Sequence, residues 1–164
     1  MMTTDLSTAE KQAWAELAIW SVALLFIWMR LTAGIDLLGQ SIGFTVVEQS
    51  AARTFNAYLT IGILAAIAQL VVRAYFKSKG DQVDFRDERD LAIETQAKQA
   101  AYWVGVVAAQ CVIVHVLANE AFKRSPVVSL DLTSATGIVL ALVTILLLQE
   151  IARNIAMLVL YKRS

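Results

Sequence analysis

Four apolar runs, near residues 14–31, 58–76, 100–118 and 132–148, constrain this chain more than any other feature. Crossing the hydrocarbon core of a bilayer takes about 20 residues of helix, and each run approaches that length. A helix on a water-soluble domain keeps a polar face. The stretches SVALLFIWM from Ser21 and GIVLALVTILLL from Gly137 have none. Composition points the same way: 58% of residues are hydrophobic and 17% charged, where a soluble domain has about 25% charged. The pattern predicts an all-α integral membrane protein, a four-transmembrane-helix up-down bundle forming one domain over residues 1–164.

Lysines and arginines set the expected orientation, because they concentrate on the cytoplasmic side of membrane helices. With the N-terminus inside, the inner segments hold Lys11, Arg73, Lys77, Lys79, Arg86, Arg89, Lys98, Arg153, Lys162 and Arg163, and the outer ones only Arg30, Arg53, Lys123 and Arg124. Both termini and the central charged stretch are therefore expected in the cytoplasm. The formal net charge is zero, which gives no basic surplus for nucleic acid. Asp5, Glu10 and a lone Lys11 do not make the basic start of a cleaved signal peptide.

Ser7-Thr8-Ala9-Glu10 is a capping box, so helix 1 should begin there. Trp14 and Trp28 are spaced to sit at opposite membrane interfaces. Gly34, Gly39 and Gly43 break a greasy outer loop over 33–56, and a second capping-box pattern, Thr45 to Glu48, predicts an early start to helix 2. Lys79-Gly80-Asp81 reads as the end of that helix. Asp84 or Asp87 should cap helix 3, whose first turns carry Asp87, Glu88 and Asp90, where the helix dipole favours negative charge. No glycine or proline interrupts residues 87–104, so one helix should run from cytoplasm into membrane to near Phe122, with a turn at Ser125-Pro126. Helix 4 should start within 131–134 and continue past the membrane to Tyr161.

The stretch 84–103 is the one long charged run. Its apolar positions Ile93, Ala97, Ala100, Ala101 and Val104 fall at helical spacing. The end of helix 4 offers Ile151, Ile155, Met157 and Leu158. Pairing these surfaces makes a cytoplasmic stalk of 84–100 with 150–162, helped by a Glu94–Lys98 pair on its exposed face.

Several residues are functional candidates. Arg86, Asp87, Glu88, Arg89 and Asp90 present both charge signs in a compact patch, either a docking surface for a cytosolic partner or a solvated helix start with local pairs such as Arg86–Asp90. Glu150, Arg153 and Asn154, with Glu16 and Arg73 at similar depth, form a candidate intramembrane polar cluster. It would latch the helices together or line a pathway. Ala97, Ala101, Gly105 and Ala109 form a small-residue series suited to close helix packing; Gly62 with Ala66, and Gly137 with Ala141, repeat it. Cys111 and His115 share a helix face and are weak metal candidates, too few for a closed zinc site. With Gln110 and Asn119, His115 suits an interhelical hydrogen bond. No cofactor is expected. No P-loop, nucleophile elbow or metalloprotease motif is present, so no enzyme is expected either.

The segment Asp87-Glu88-Arg89-Asp90, followed by Ile93-Glu94, Ala97 and Ala101-Tyr102, resembles small uncharacterised prokaryotic four-helix membrane proteins with a D-E-R element opening the third helix. The match covers about one fifth of the chain. The resemblance implies a prokaryotic cytoplasmic membrane and, by analogy with some of those proteins, a cytosolic helix-turn-helix regulator as partner. It implies no activity.

Two functions follow as expectations. One is a non-enzymatic membrane regulatory or interaction protein that presents the charged stalk to a cytosolic regulatory protein. The alternative is a homo-oligomeric small transporter or channel, with Glu16, Arg73, Glu150 and Arg153 on its pathway.

Overall fold

Ser7 starts the first helix as its sequence predicts. Its Oγ accepts from the Glu10 amide at 3.2 Å, and its own amide donates to Glu10 Oε2 at 2.8 Å. The computed structural model describes residues 7–36, 43–46, 50–78, 88–121 and 132–163. In order these form α1 (Thr8–Leu31), β1 (Thr32–Asp36), β2 (Gly43–Val46), α2 (Ala51–Ser78), α3 (Glu88–Ala121) and α4 (Ala135–Arg163). All four helices are long and apolar enough to cross a membrane. At about 1.5 Å per residue, the 34 residues of α3 and the 29 of α4 both exceed the thickness of a hydrocarbon core of about 30 Å.

The helices form an open row, α2–α1–α4–α3. Helix α1 packs on α2 and α4, and α4 packs on α1 and α3. Only a slight contact joins α2 to α4, and no substantial one joins α2 to α3. Burial follows this order: 33% of the α4 span is buried, against 11% of each span in α2 and α3. The main core lies among α1, α2 and α4, where Ile27, Leu31 and Leu140 are almost fully enclosed with Ile61, Val143 and Leu147 around them.

Small residues explain why α3 joins the row through α4. Ile93, Ala97, Ala101 and Gly105 are buried along one α3 face. A Cβ on Gly105 would collide with the side-chain amide of Gln149, so glycine there is what lets the two backbones approach. The seam passes through Gly105 instead of Val104, which is 37% exposed, and Ala109 is only half-buried. Gly137 and Ala141 are buried on α4 as their spacing predicts. Gly62 and Ala66 are not: both are exposed on α2, and open space surrounds Gly62.

Other expectations change at the ends of elements. The segment read as a greasy loop contains an antiparallel hairpin that pairs Thr32 with Val46, Ile35 with Phe44 and Asp36 with Gly43 around an irregularity after Thr32. Its β-branched and aromatic residues suit a strand better than the three glycines suggest. Thr45 therefore lies in β2 and does not cap α2, which starts at Ala51 with the Ser50 carbonyl accepting from Arg53 and Thr54. Ser134 caps α4, its Oγ accepting from the Gly137 amide at 3.0 Å. Trp28 is turned inward and donates from Nε1 to Thr144 Oγ1 at 3.0 Å, so it joins α1 to α4. Trp14 is exposed. The expected caps at Asp84 or Asp87, the stop at Lys79-Gly80-Asp81 and the Ser125-Pro126 turn lie outside the described residues.

Candidate functional site

The start of α1, the start of α3 and the end of α4 meet at one end of the row, and the chemistry-bearing side chains gather there. Glu16 and Gln12 lie one turn apart on α1, and Gln12 Nε2 donates to Glu16 Oε1 at 3.0 Å. Glu150 and Arg153 lie three apart on α4, close enough to share a face. Because α1 packs on α4, the Arg153 guanidinium spans both helices. Its Nη2 donates to Glu16 Oε2 at 2.8 Å and stands 3.1 Å from Glu150 Oε2. The second contact lacks hydrogen-bond geometry: Glu150 Oε2 is an ion-pair partner without a hydrogen bond. The Glu16 side chain is 7% exposed and that of Arg153 23%.

Three members of the predicted cluster, Glu16, Glu150 and Arg153, thus come together. Arg73 does not. It is exposed on α2, which packs against α1 and only slightly against α4, so the row order keeps it away from Arg153. Asn154 is closer to the core than its sequence suggests, with no exposed surface. Its Nδ2 donates to the Glu150 carbonyl at 2.8 Å, and its Oδ1 has no partner among the described residues. Trp20, one turn from Glu16 on α1, also has a buried Nε1 with no partner among the described residues. Trp20 was not legible as a site residue, because its spacing suits ordinary core packing equally well. Ile155, expected on the α3-facing side, is 47% exposed. The helix turns Asn154 inward in its place.

At the tip, the α3 start docks on the α4 end. Tyr161 Oη donates to Asp90 Oδ1 at 3.0 Å. A recess of about 250 Å³ lies beside this bond, lined by Ser7, Thr8, Glu10, Arg89, Asp90 and Tyr161. Glu88 and Arg89 are exposed, while Asp90 is half-buried and engaged with Tyr161. The expected Arg86–Asp90 pair falls outside the described residues because of Arg86, as does Asp87. The Glu94–Lys98 pair forms at 2.9 Å. It adds a few tenths of a kcal/mol at most, since both groups meet water.

Cys111 is exposed and His115 half-buried on α3. Among the described residues no group of three or more His, Cys, Asp or Glu side chains is placed to hold a metal. One guanidinium bridges carboxylates from two helices, and a tyrosine fixes a third helix to the same assembly. Comparison with protein-family models, with curated proteins and with solved structures finds no match to this chain.

Proposed function

We propose that this is a non-enzymatic membrane regulatory protein whose polar end faces the cytoplasm and offers the α3 start to a cytosolic regulatory protein. In this reading the four helices cross the membrane up and down, with both termini inside, as the lysine and arginine distribution favours. The observation that carries it is the fixed tip. Ile93 and Ala97 are buried against α4, and Asp90 is held by Tyr161, so Glu88 and Arg89 are presented from a rigid base beside the recess. A pre-ordered surface loses less conformational entropy on binding than a flexible one. The mixed signs of Glu88 and Arg89, with Arg86 and Asp87 preceding them, suit a partner of mixed charge better than an anionic lipid surface.

Unbiased crosslinking from the cytoplasmic face, comparing the native chain with a variant reversing Arg86, Glu88 and Arg89 together, tests this. Loss of one specific cytosolic partner is expected. Unchanged capture of every partner would remove the docking role.

A second reading, an oligomeric transporter, draws on Glu16 and Glu150 sharing the single Arg153 guanidinium. It expects proteoliposome flux that falls in Glu16→Gln and Glu150→Gln. Flux indifferent to both changes counts against it.

A further inference from the structure

We propose that two copies of this chain pair through the outward face of α3, with Gln110 of each copy bonded to Gln110 of the other inside the membrane. Gln110 lies in the apolar run 100–118, about 12–15 Å of helix from either end. A glutamine side chain does not reach from there to a membrane surface. It is exposed, and its amide has no partner among the described residues. Hydrocarbon offers neither donor nor acceptor, so a lone primary amide facing lipid at mid-depth is unfavourable. Ordinary apolar exposure on a membrane helix needs no protein cover, but this amide does.

The surrounding face has the form of a helix seam. Trp103, Val107, Gln110, Val114 and Leu117 follow one another at alternating spacings of four and three residues. That repeat keeps one stripe facing a partner helix. All five are exposed, at 58%, 59%, 62% and 63% for Trp103, Val107, Val114 and Leu117. The stripe lies opposite Ala101 and Gly105, the face already occupied by α4. Because α3 sits at the edge of the open row, none of the other described elements packs over this side.

Symmetry selects a second copy as the occupant. Two copies inserted in the same sense pair about a two-fold axis along the membrane normal, which sets each residue of the seam against itself at the same depth. A primary amide both donates and accepts, so two glutamines meeting on that axis satisfy each other reciprocally. One polar residue within an apolar seam also fixes its register. This pairing does not rest on what the polar end of the protein binds, and its failure would leave that reading untouched.

The test is oxidative crosslinking of the full chain in its membrane. Cys111 is first replaced by alanine, and single cysteines are placed at Val107 or Val114 on the seam, or at Ile67 on the exposed face of α2 as a control. Disulfide-linked dimers of twice the chain mass are expected from V107C and V114C and not from I67C. In the uncrosslinked protein Gln110→Leu should weaken self-association about three- to tenfold. Gln110→Asn keeps the amide and should retain most of it, which separates loss of the bond from loss of the fold. Equal crosslinking at all three positions, none at the seam, a product with a different protein, or a Gln110→Leu variant that associates as well as the native chain would each overturn the proposal.

Discussion

Replacing Arg153 by methionine removes the cation that joins α1 to α4, and the cost follows from burial. An exposed ion pair contributes about 0.2–1 kcal/mol. Stranding one partner of a fully buried pair costs about 3–5 kcal/mol. Here Glu16 is 7% exposed and keeps only the Gln12 bond, while the lost Arg153 side chain was 23% exposed, so water replaces part of it. Glu150 is more open, at 36%, although its Oε2 is buried. The expected loss for Arg153→Met is therefore about 2–4 kcal/mol, below the fully buried limit. Adding Glu16→Leu removes the stranded charge, and the double variant should recover to within about 1 kcal/mol of the native protein. The assay is reversible unfolding in mixed micelles, following helix content as the fraction of denaturing detergent rises. The four proteins of the cycle isolate the pair from the packing of each side chain. A loss below about 1 kcal/mol for Arg153→Met, or a double variant as unstable as the two single losses added together, would refute the latch.

Gly105→Ala should destabilise the protein by about 1–3 kcal/mol, because the new methyl meets Gln149 down to its Cγ at 2.8 Å and not only at the mobile amide; the same unfolding assay measures it, and Gly62→Ala, in open space on α2, should cost nothing. Tyr161→Phe removes the bond to Asp90 and should lower stability by about 0.5–1.5 kcal/mol, read most clearly as faster amide exchange over the first turns of α3. Asn154→Leu should fall within about 1 kcal/mol of native in thermal unfolding, since it removes a buried oxygen that already lacks a partner.

Local rules carried the sequence reading furthest. The lengths of the four apolar runs, the Ser7–Glu10 capping box, the overlong α4 and the shared buried face of Ile93 and Ala97 all depend on residues close in sequence or on a single helical period. Helix geometry decides such features before any packing. The Glu150–Arg153 contact was legible for the same reason, and the hairpin was not, because glycine spacing alone does not distinguish a loop from a paired strand.

Tertiary structure decided which helices are neighbours. Hydropathy makes α1 to α4 nearly interchangeable as spans, so it gives no order across the membrane. The Ala97–Ala101–Gly105 face admits α4 at close range, while the equally small Gly62 and Ala66 face outward, and only the packed helices distinguish them. That choice draws Glu16 to Arg153, leaves Arg73 apart on α2 and exposes Gln110 at the edge of an open row. Spacing within one helix fixes which residues share a face. Which helix that face meets depends on contacts between residues far apart in sequence, such as Gly105 with Gln149 and Glu16 with Arg153.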